Sequence, residues 1–374
     1  YAVAAAKSVL GCGNGLVLYK SDDLFRPLYG DIVALCPEEI NSPYARLIGK
    51  VDASGIVTVA DQTVSVLNLV KAFTSKLEGV YPTVAPAAGR AVASDYSIDT
   101  VYKSKTKSAK PRVFIPVFPG TNCEYDMARA FTREGAEADI FVMRNLTRAD
   151  IEDSIAEMKR RIDNAQIIAF PGGFSGGDEP DGSGKFIVNT FKNEALKEAV
   201  EDLLYKRDGL ILGICNGFQA LIKLGLLPFG RIEDRDEHSP TLTYNNIGRH
   251  VSTIVRVRVG TNKSPWLTDY RPGDIFSVPV SHGEGKFVCE PQVFDKLCKN
   301  GQIATQYVDD EGRVTMVSPF NPNGSVMAVE GIISPDGKIL GKMGHTERYQ
   351  KGIYQNVPGN FDMNIFRAGV KYFK

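Results

Sequence analysis

One cysteine in this chain stands where a nucleophile would be expected. The segment GLILGICNGFQALIKLG begins as an apolar strand, passes through Gly213, Cys215 and Gly217, and continues as a helix. This is the Gly-x-nucleophile-x-Gly elbow, in which glycines allow a sharp strand-to-helix turn that raises the nucleophile above a sheet. We expect the helix N-terminus to stabilise a Cys215 thiolate and the backbone N–H of Asn216 to face a developing oxyanion. The motif alone is equally compatible with a structural cysteine between two closely packed glycines.

A glycine-rich loop, PGGFSGGDEPDGSGKF, follows the predicted strand QIIAF. Ligands bind at the carboxyl ends of parallel strands in open α/β sheets, which places this loop next to a site. Backbone N–H groups near Gly172, Gly173 and Phe174 would complete an oxyanion hole. A phosphate loop or a plain turn is the alternative. The loop has neither a Walker Lys-Thr pair nor a GxGxxG pattern, so nucleotide binding here has little support.

A thiol nucleophile needs a histidine base, and that histidine needs an acceptor to fix its tautomer. Two of the four histidines lie in His-x-Glu patterns, His282 with Glu284 and His345 with Glu347. Residues two apart in an extended segment face the same way, so either pair can supply the base and its acceptor. The strand ILGKMG favours His345, because it puts that histidine at a strand end. The glycines around His282 predict a loop.

The remaining histidines and cysteines receive structural interpretations, with one exception. His238 lies in the charged run EDRDEHS and is predicted to be solvated, and His250 is predicted to be structural or to contact another domain. The six cysteines, at positions 12, 36, 123, 215, 289 and 298, form no CxxC pair and predict a reducing, cytoplasmic setting. Cys123 is the exception, since a predicted helix N-terminus in GTNC would favour its thiolate.

The elements that would position these side chains alternate between strands and helices from Arg112 onward. The strands are VFIPVF, ADIFVM, QIIAF and LILGI. Helices are predicted after Asn122 to Glu134, from about 148 to 162 and from about 186 to 206, with another beginning near Asn216. Repeats of this kind predict the α/β class, with an open parallel sheet and helices on both faces. Pro116 weakens the first strand because it donates no ladder hydrogen bond. The last third turns to strands, in VSTIVRVRV, FSVPVS, SVMAVEGII and ILGKMGH.

Residues 1–81 predict a small α+β unit. YAVAAAKSVLG has helical periodicity, and GLVLYKS, DIVALCP and RLIGKVDASGIVTVA have strand character. Ser65 is the predicted N-cap of an amphipathic helix that ends at Gly79. Residues 82–111, rich in Ala, Ser, Thr and Lys and punctuated by prolines, predict a linker before a main domain at 112–374. Because the chain opens at Tyr1 without Met, inside a predicted helix, we expect it to be part of a longer protein.

Composition excludes several classes of function. The 374 residues carry 44 basic and 44 acidic side chains, so no net field attracts nucleic acid or anionic lipid, and we expect neither partner. No apolar run approaches the roughly 20 residues of a membrane helix. The opening residues lack the basic region of a signal peptide. We therefore expect an ordinary globular protein of the cytoplasm.

Five segments together resemble the class I (triad-type) glutamine amidotransferases, and within that class the phosphoribosylformylglycinamidine synthase family. They are FPGTNCEYDMARAF at 118–131, PGGFSGGDEPDGSGKF at 171–186, GICNGFQALIKLGLLP at 213–228, SHGEGKF at 281–287 and GHTERY at 344–349. The resemblance runs from about residue 112 to the end and implies a flavodoxin-like open sheet. VLGCGNGLVLY, DIVALCP, RLIGKV and KLEGVYPT resemble the end of the synthase region in the large fused form of that enzyme. Residues 1–81 would then be the C-terminal part of an aminoimidazole-ribonucleotide-synthetase-like domain.

The resemblance also implies roles for individual residues. Cys215 would attack the side-chain amide of glutamine, His345 would act as base and then as acid toward the leaving ammonia, and Glu347 would orient His345. The residues implied to lie beside the bound glutamine are Phe174, Asn216 and Gln219, with His282 and Glu284 in support at the pocket or a domain interface. Ammonia would pass internally to the synthase region, which would bind ATP and Mg²⁺. No cofactor and no metal is implied in the part of the enzyme present here.

The chain departs from the family in the loop that carries the base. The family usually has Pro-His-Pro-Glu-Arg, and this chain has Gly344-His345-Thr346-Glu347-Arg348. Losing both prolines is expected to loosen the loop while keeping its chemical groups.

Two alternatives come from other classes of function. The first is a non-catalytic interaction module on the amidotransferase fold, against which Cys215, His345 and Glu347 argue by occurring together. The second is a cysteine hydrolase that acts on another amide, such as a peptide. Asn216, Gln219 and the segment SHGEGKF disfavour it.

Overall fold

The computed structural model describes residues 1–86, 89–100, 102–174 and 184–374. The chain divides into two compact units, Tyr1–Thr83 and Val84–Lys374, each with its own hydrophobic core. Most of the predicted glycine-rich loop, residues 175–183, lies outside the described residues. Within the described part of the chain, no helix has the length and apolarity needed to span a bilayer.

The first unit has a four-stranded sheet and two helices. Its elements are α1 (Ala2–Leu10), β1 (Gly15–Leu18), β2 (Gly49–Asp52), β3 (Ile56–Val59), β4 (Gln62–Ser65), α2 (Val66–Thr74) and a 3₁₀ turn, Ser75–Leu77. The strand order is β2-β1-β3-β4, with β1 parallel to β3 and the other neighbours antiparallel. The predicted N-cap is confirmed, because Ser65 Oγ accepts the N–H of Asn68 at 3.2 Å.

One strand predicted in the first unit is wrong. Residues 31–37, DIVALCP, form no strand, and Ile32 and Leu35 are 89% and 65% exposed. A short apolar run forms a strand only where a partner edge and a buried face are available to it. The four-stranded sheet of the first unit offers this segment no partner strand and no buried face.

The second unit is built on a nine-stranded sheet with an additional two-stranded sheet. The strands are β5 (Arg112–Val117), β6 (Glu137–Val142), β7 (Ile167–Phe170), β8 (Leu210–Ile214), β9 (Thr241–Thr243), β10 (Val251–Val259), β11 (Ile275–His282), β12 (Lys286–Val288), β13 (Ile303–Val308), β14 (Val329–Ile333) and β15 (Ile339–Lys342). The helices are α3 (Glu124–Arg133), α4 (Arg148–Asn164), α5 (Lys185–Phe191), α6 (Glu194–Glu201), α7 (Asn216–Lys223), α8 (Leu226–Phe229), α9 (Pro291–Lys299) and α10 (Ile365–Lys371). Shorter turns are a π turn at Asp202–Lys206 and 3₁₀ turns at Val326–Ala328 and Thr346–Arg348.

The large sheet is half parallel and half antiparallel. Its order is β11-β10-β13-β14-β15-β8-β7-β5-β6. The strands from β15 to β6 run parallel to one another, and those from β11 to β15 are antiparallel. The parallel half alternates with helices along the chain, which confirms the predicted α/β class. β7, β8, β14 and β15 are buried at every residue, as strands covered on both faces must be.

Pro116 is accommodated in β5 by the pairing of that strand. Its neighbour β7 pairs with β5 only at Val113 and Phe114. Pro116 lies beyond that stretch and faces Phe141 of β6 on the other side. The missing N–H therefore lies outside the paired stretch between β5 and β7, and the predicted strand is confirmed.

The helix predicted over 186–206 is divided into α5, α6 and the π turn. The break occurs at Asn193, whose side chain accepts the N–H of Ala195 at 3.0 Å and so caps α6. Asparagine offers the backbone this alternative to a continuous helix, which the apolar periodicity alone does not reveal. The elements that were not predicted are strands β4, β9, β12 and β13 and helices α8, α9 and α10.

Residues 84–111, most of the segment predicted as a linker, belong to the second unit and are bonded to it. The N–H of Ser94 donates to Gln306 Oε1 at 2.8 Å, and Gln306 Nε2 donates to the carbonyl of Val92 at 3.0 Å. Tyr96 forms a bridge with Thr261. The described residues of this segment are therefore held to the second unit by specific hydrogen bonds.

Thr147→Ala should lower the free energy of unfolding of the second unit by about 1 kcal/mol, because it removes half of a capping box. Thr147 Oγ1 accepts the N–H of Asp150 at 3.1 Å, and Asp150 Oδ2 accepts the N–H of Thr147 at 3.1 Å. Thr147→Ser keeps the acceptor and is the matched control. Hydrogen exchange in the first turn of α4 measures the effect, and equal protection in the two variants would contradict it.

Candidate active site

Cys215 sits at the predicted elbow between β8 and α7. Its backbone has φ 53° and ψ −106°, a strained conformation for a residue with a side chain. The flanking glycines are required by close packing. A Cβ on Gly213 would lie 2.8 Å from the carbonyl carbon of Gly217, and a Cβ on Gly217 would lie 2.7 Å from Cβ of Phe170. The N–H of Cys215 donates to the carbonyl of Lys342 at 2.9 Å, which fixes the elbow against β15.

The thiol of Cys215 is protonated in this environment. The residue is 5% exposed, and Sγ donates to the carbonyl of Ser281 at 3.6 Å. Burial raises the pKa of the thiol to about 12, while the N–H of Asn216 acts in the opposite direction. The expectation that the helix N-terminus would stabilise a resting thiolate is therefore wrong, because removal from water outweighs the dipole. The nucleophile needs a base.

His345 and Glu347 form the hydrogen-bonded pair expected of a base and its orienting acceptor. Nδ1 of His345 lies 2.6 Å from Oε1 of Glu347, and both residues are 1% exposed. Burial by itself raises the pKa of Glu347, but the interaction with His345, including its hydrogen bond, outweighs burial and holds the pKa below its ordinary value. The carboxylate stays ionised and accepts from Nδ1–H. Nε2 of His345 has no hydrogen-bond partner among the described residues and is the atom available to take a proton.

Gly172 lies between the base and the nucleophile. A Cβ on this residue would lie 2.7 Å from Cε1 of His345 and 3.5 Å from Cβ of Cys215. Only glycine fits there without moving His345. The structure thus brings together the three sequence segments that were predicted to form one site.

The described part of the glycine-rich loop is bonded to the loop before α3. The carbonyl of Gly172 accepts the N–H of Asn122 at 3.2 Å, and the N–H of Phe174 donates to the carbonyl of Gly120 at 2.8 Å. Gly173, at φ 142°, has a conformation that favours glycine. In this conformation the N–H of Phe174 is engaged, so it contributes no free donor to an oxyanion hole.

Asn216 and Gln219 connect the start of α7 to the segment SHGEGKF. Nδ2 of Asn216 donates to Oε1 of Gln219 at 3.0 Å, and Nε2 of Gln219 donates to the carbonyl of Glu284 at 2.5 Å. All three residues are buried. These two hydrogen bonds hold Asn216, Gln219 and Glu284 together at the start of α7, which follows Cys215 directly. The family resemblance implies that the bound glutamine lies there.

His282 is held as a neutral residue. Burial lowers its pKa to about 3, and its Nδ1 lies 3.1 Å from Oδ1 of Asn245. The same oxygen accepts the N–H of Gly285, and Nδ2 of Asn245 donates to the carbonyl of His282 at 2.8 Å. Asn245 therefore organises the turn that carries Glu284. It was missed in the sequence because no motif marks it.

Cys123 and Arg348 complete the surroundings of the base. Sγ of Cys123 lies 4.0 Å from Nδ1 of His345 and accepts from Nη2 of Arg348 at 3.4 Å. Burial, and secondarily Glu347, raise the pKa of Cys123 to about 11. The predicted thiolate at this helix N-terminus is wrong for the same reason as at Cys215.

Three ligand-type atoms, from Cys123, His345 and Glu347, lie within 4.8 Å of one another. Nδ1 of His345 is already committed to Glu347 at 2.6 Å. We interpret the group as a hydrogen-bonded cluster around the base.

A cavity of about 260 Å³ opens beside the site. Its lining residues are Phe174, Tyr244, Gly248, Arg249, His250, Gly283 and Glu284. Nε2 of His250 lies 3.1 Å from Oγ of Ser281, whose carbonyl contacts Cys215. His250 therefore lines this cavity next to β11. His238 is exposed, as predicted, and pairs with Glu290 at 2.8 Å.

The chain is similar to known proteins in both sequence and structure. Residues 110–373 match the model of the CobB/CobQ-like glutamine amidotransferase domain. The chain belongs to that family. This confirms the resemblance to the glutamine amidotransferases. The phosphoribosylformylglycinamidine synthase subunit PurQ of Methanococcus maripaludis is 37% identical over 282 residues, which cover 70% of this chain and 98% of that relative.

Two further comparisons agree. PurQ of Dehalococcoides mccartyi is 35% identical over 244 residues, 65% of this chain and 88% of that relative. In structure, the chain is similar to one in PurLQS from Thermotoga maritima, with a TM-score of 0.51 and 26% identity, covering 71% of this chain and all of that chain. The first unit lies outside the residues that the family model matches.

Alkylation of Cys215 by iodoacetamide should accelerate about tenfold per pH unit from pH 7 to pH 10 without reaching a plateau. The reason is that a thiol with a pKa near 12 is almost entirely protonated throughout that range. Peptide mass spectrometry follows Cys215 and the exposed Cys36 in the same sample. A plateau below pH 8 at Cys215 would show that the resting protein holds a thiolate.

Proposed function

We propose that this protein is the glutaminase half of phosphoribosylformylglycinamidine synthase. It hydrolyses glutamine through a thioester on Cys215 and supplies ammonia to an ATP-dependent synthase, which converts formylglycinamide ribonucleotide to the amidine in purine synthesis. The observation that carries the proposal is the buried hydrogen bond of 2.6 Å between His345 and Glu347, with Gly172 against both His345 and Cys215. The names of the PurQ relatives support the substrate.

The first half of the reaction follows from the protonation states. Cys215 starts as a thiol, and its proton moves to Nε2 of His345 as Sγ attacks the amide carbon of glutamine. Glu347, ionised beneath Nδ1, stabilises the imidazolium that forms. The tetrahedral intermediate collapses when His345 returns the proton to the leaving nitrogen. Ammonia departs and the γ-glutamyl thioester remains on Cys215.

The second half reuses the same base. A water molecule loses its proton to Nε2 of His345 and attacks the thioester, and the thiol is regenerated when glutamate leaves. The N–H of Asn216, whose hydrogen bond lowers the pKa of the Cys215 thiol, would donate to the oxyanion in both halves. Gln219 and the turn at Glu284 would contact the bound glutamine.

The partner and the first unit extend the proposal. The similarity to a chain of PurLQS supports a synthase as the receiver of ammonia. We further propose that residues 1–81 are the end of an aminoimidazole-ribonucleotide-synthetase-like synthase region, joined by residues 82–111 to the amidotransferase domain, as in the large fused form. ATP and Mg²⁺ would bind in that synthase region, and the enzyme would act in the cytoplasm.

Cys215→Ala should abolish release of glutamate from glutamine, because no other thiol occupies the elbow. Cys12→Ala, at an exposed cysteine of the first unit, is the matched control and should keep full activity. Glutamate is measured by a coupled assay, with and without the synthase region, ATP and formylglycinamide ribonucleotide. Absence of release by the wild-type chain under all of these conditions would leave the non-catalytic interaction module as the better interpretation.

Glu347→Gln should lower kcat by roughly 10²–10⁴-fold with little change in KM, because the uncharged amide no longer stabilises the His345 imidazolium. The substitution keeps the size of the side chain. Glu311→Gln removes an exposed carboxylate that pairs with Arg313 and should leave kcat unchanged. Steady-state kinetics of glutamate release measure both variants. A loss of less than fivefold at Glu347 would remove it from the catalytic group.

A further inference from the structure

Lys342 and Glu330 form a completely buried ion pair next to the active site. Nζ of Lys342 lies 3.2 Å from Oε1 of Glu330, and neither side chain has any exposed surface. The two residues lie on the adjacent strands β15 and β14. Burying two charges in a core is unfavourable unless every polar atom is well paired, and apolar residues of similar size often serve stability as well. The pair therefore needs an explanation other than stability.

Both charges are directed at the backbone of Gly344. Nζ of Lys342 donates to the carbonyl of Gly344 at 2.8 Å, and the N–H of Gly344 donates to Oε1 of Glu330 at 2.5 Å. The second carboxylate oxygen accepts from Oγ1 of Thr305. The ion pair thus provides hydrogen-bond partners for both the backbone N–H and the carbonyl of Gly344.

The ion pair fits only because positions 331 and 344 are glycines. A Cβ on Gly344 would lie 2.9 Å from Oε1 of Glu330 and 3.0 Å from Nζ of Lys342. A Cβ on Gly331 would lie 2.8 Å from Oγ1 of Thr305 and 2.9 Å from Cβ of Lys342. A proline at position 344 would also remove the N–H that Glu330 accepts.

Gly344 immediately precedes the base. The next residue, His345, is fixed through its own N–H, which donates to the carbonyl of Pro279 at 2.8 Å. Lys342 also contacts the nucleophile segment, since its carbonyl accepts the N–H of Cys215 at 2.9 Å. One residue therefore connects both catalytic elements, through its backbone to Cys215 and through its side chain to the loop of His345.

We propose that Lys342 and Glu330 are positioning residues that set His345 against Cys215. The inference rests on the proposed glutaminase function and deepens it. Gly344 lies two residues beyond Lys342, the last residue of β15, and its N–H and carbonyl bind the side chains of Glu330 and Lys342 instead of a neighbouring strand. The ion pair replaces the missing strand hydrogen bonds at Gly344 and so fixes the backbone of the loop that leads to His345.

The central test is Lys342→Met in the complete chain assayed with its synthase region. The variant removes the donor to Gly344 at nearly constant volume, and kcat for glutamate release should fall by about 10- to 100-fold, with KM for glutamine within about twofold of wild type. The matched control is Lys338→Met. Lys338 precedes β15 at its opposite end and pairs with Asp208 at 2.6 Å. It should lower stability without lowering kcat.

The double variant Lys342→Met with Glu330→Met separates positioning from stability. With both charges gone, the melting temperature should recover toward wild type, whereas kcat should stay low because Gly344 has lost its partners. Recovery of kcat together with the melting temperature would overturn the proposal, as would an unchanged kcat in Lys342→Met.

A readout independent of turnover is the far-downfield proton of His345 Nδ1 in the NMR spectrum, assigned by its loss in His345→Ala. It should broaden or shift in Lys342→Met and stay in place in Lys338→Met. An unchanged resonance in Lys342→Met would overturn the positioning role even if glutamine proved to be the wrong substrate. Absence of activity in wild type with a shifted resonance would instead reject the proposed function alone.

Discussion

The site depends on one steric constraint, the contact at Gly172 between two catalytic segments. No side chain fits between His345 and Cys215 at this point, so the ends of β7, β8 and β15 must converge to within van der Waals contact. Parallel strands deliver their carboxyl ends to the same edge of a sheet, and this sheet places β7, β8 and β15 side by side in that orientation. The glycines of the elbow and of the loop are consequences of this convergence, because every other residue type would push the strand ends apart.

Close convergence also sets the electrostatics. The same packing that brings the groups together removes water from Cys215 and Cys123, and their pKa values rise. Glu347 escapes this effect because His345 is its neighbour, so its pKa falls despite complete burial. The result is a neutral thiol, a neutral His282 and an ionised carboxylate held within one small volume. Proton transfer to His345 is then the step that creates charge, and the ionised Glu347 lies next to His345, where it stabilises the imidazolium.

The sequence predicted those parts of the site that are local in the chain. The elbow around Cys215 and the loop at Gly172 follow from short-range geometry, and the parallel half of the sheet follows from its alternating elements. Short-range geometry also marks two His-x-Glu pairs, at His282 and His345, and the family resemblance decides between them. What it missed depends on contacts between distant segments. Asn245 organises the turn at Glu284 from 40 residues away in the chain, and the thiolate predicted at Cys123 fails because burial cannot be read from a helix N-terminus. Helix periodicity does not reveal the break at Asn193, because the break depends on the side-chain cap of α6. The strand propensity of residues 31–37 does not reveal that the sheet offers them no partner strand.

The antiparallel half of the sheet explains why the fold needs more than its parallel strands. Ser281 and Pro279 of β11 provide the carbonyls that contact Cys215 and the N–H of His345. Glu330 of β14 binds the N–H of Gly344. The parallel half thus supplies the reacting groups, and the antiparallel half supplies acceptors that fix where those groups point. A loop without proline can carry the base under these conditions, because its rigidity comes from buried charges in neighbouring strands instead of from its own backbone.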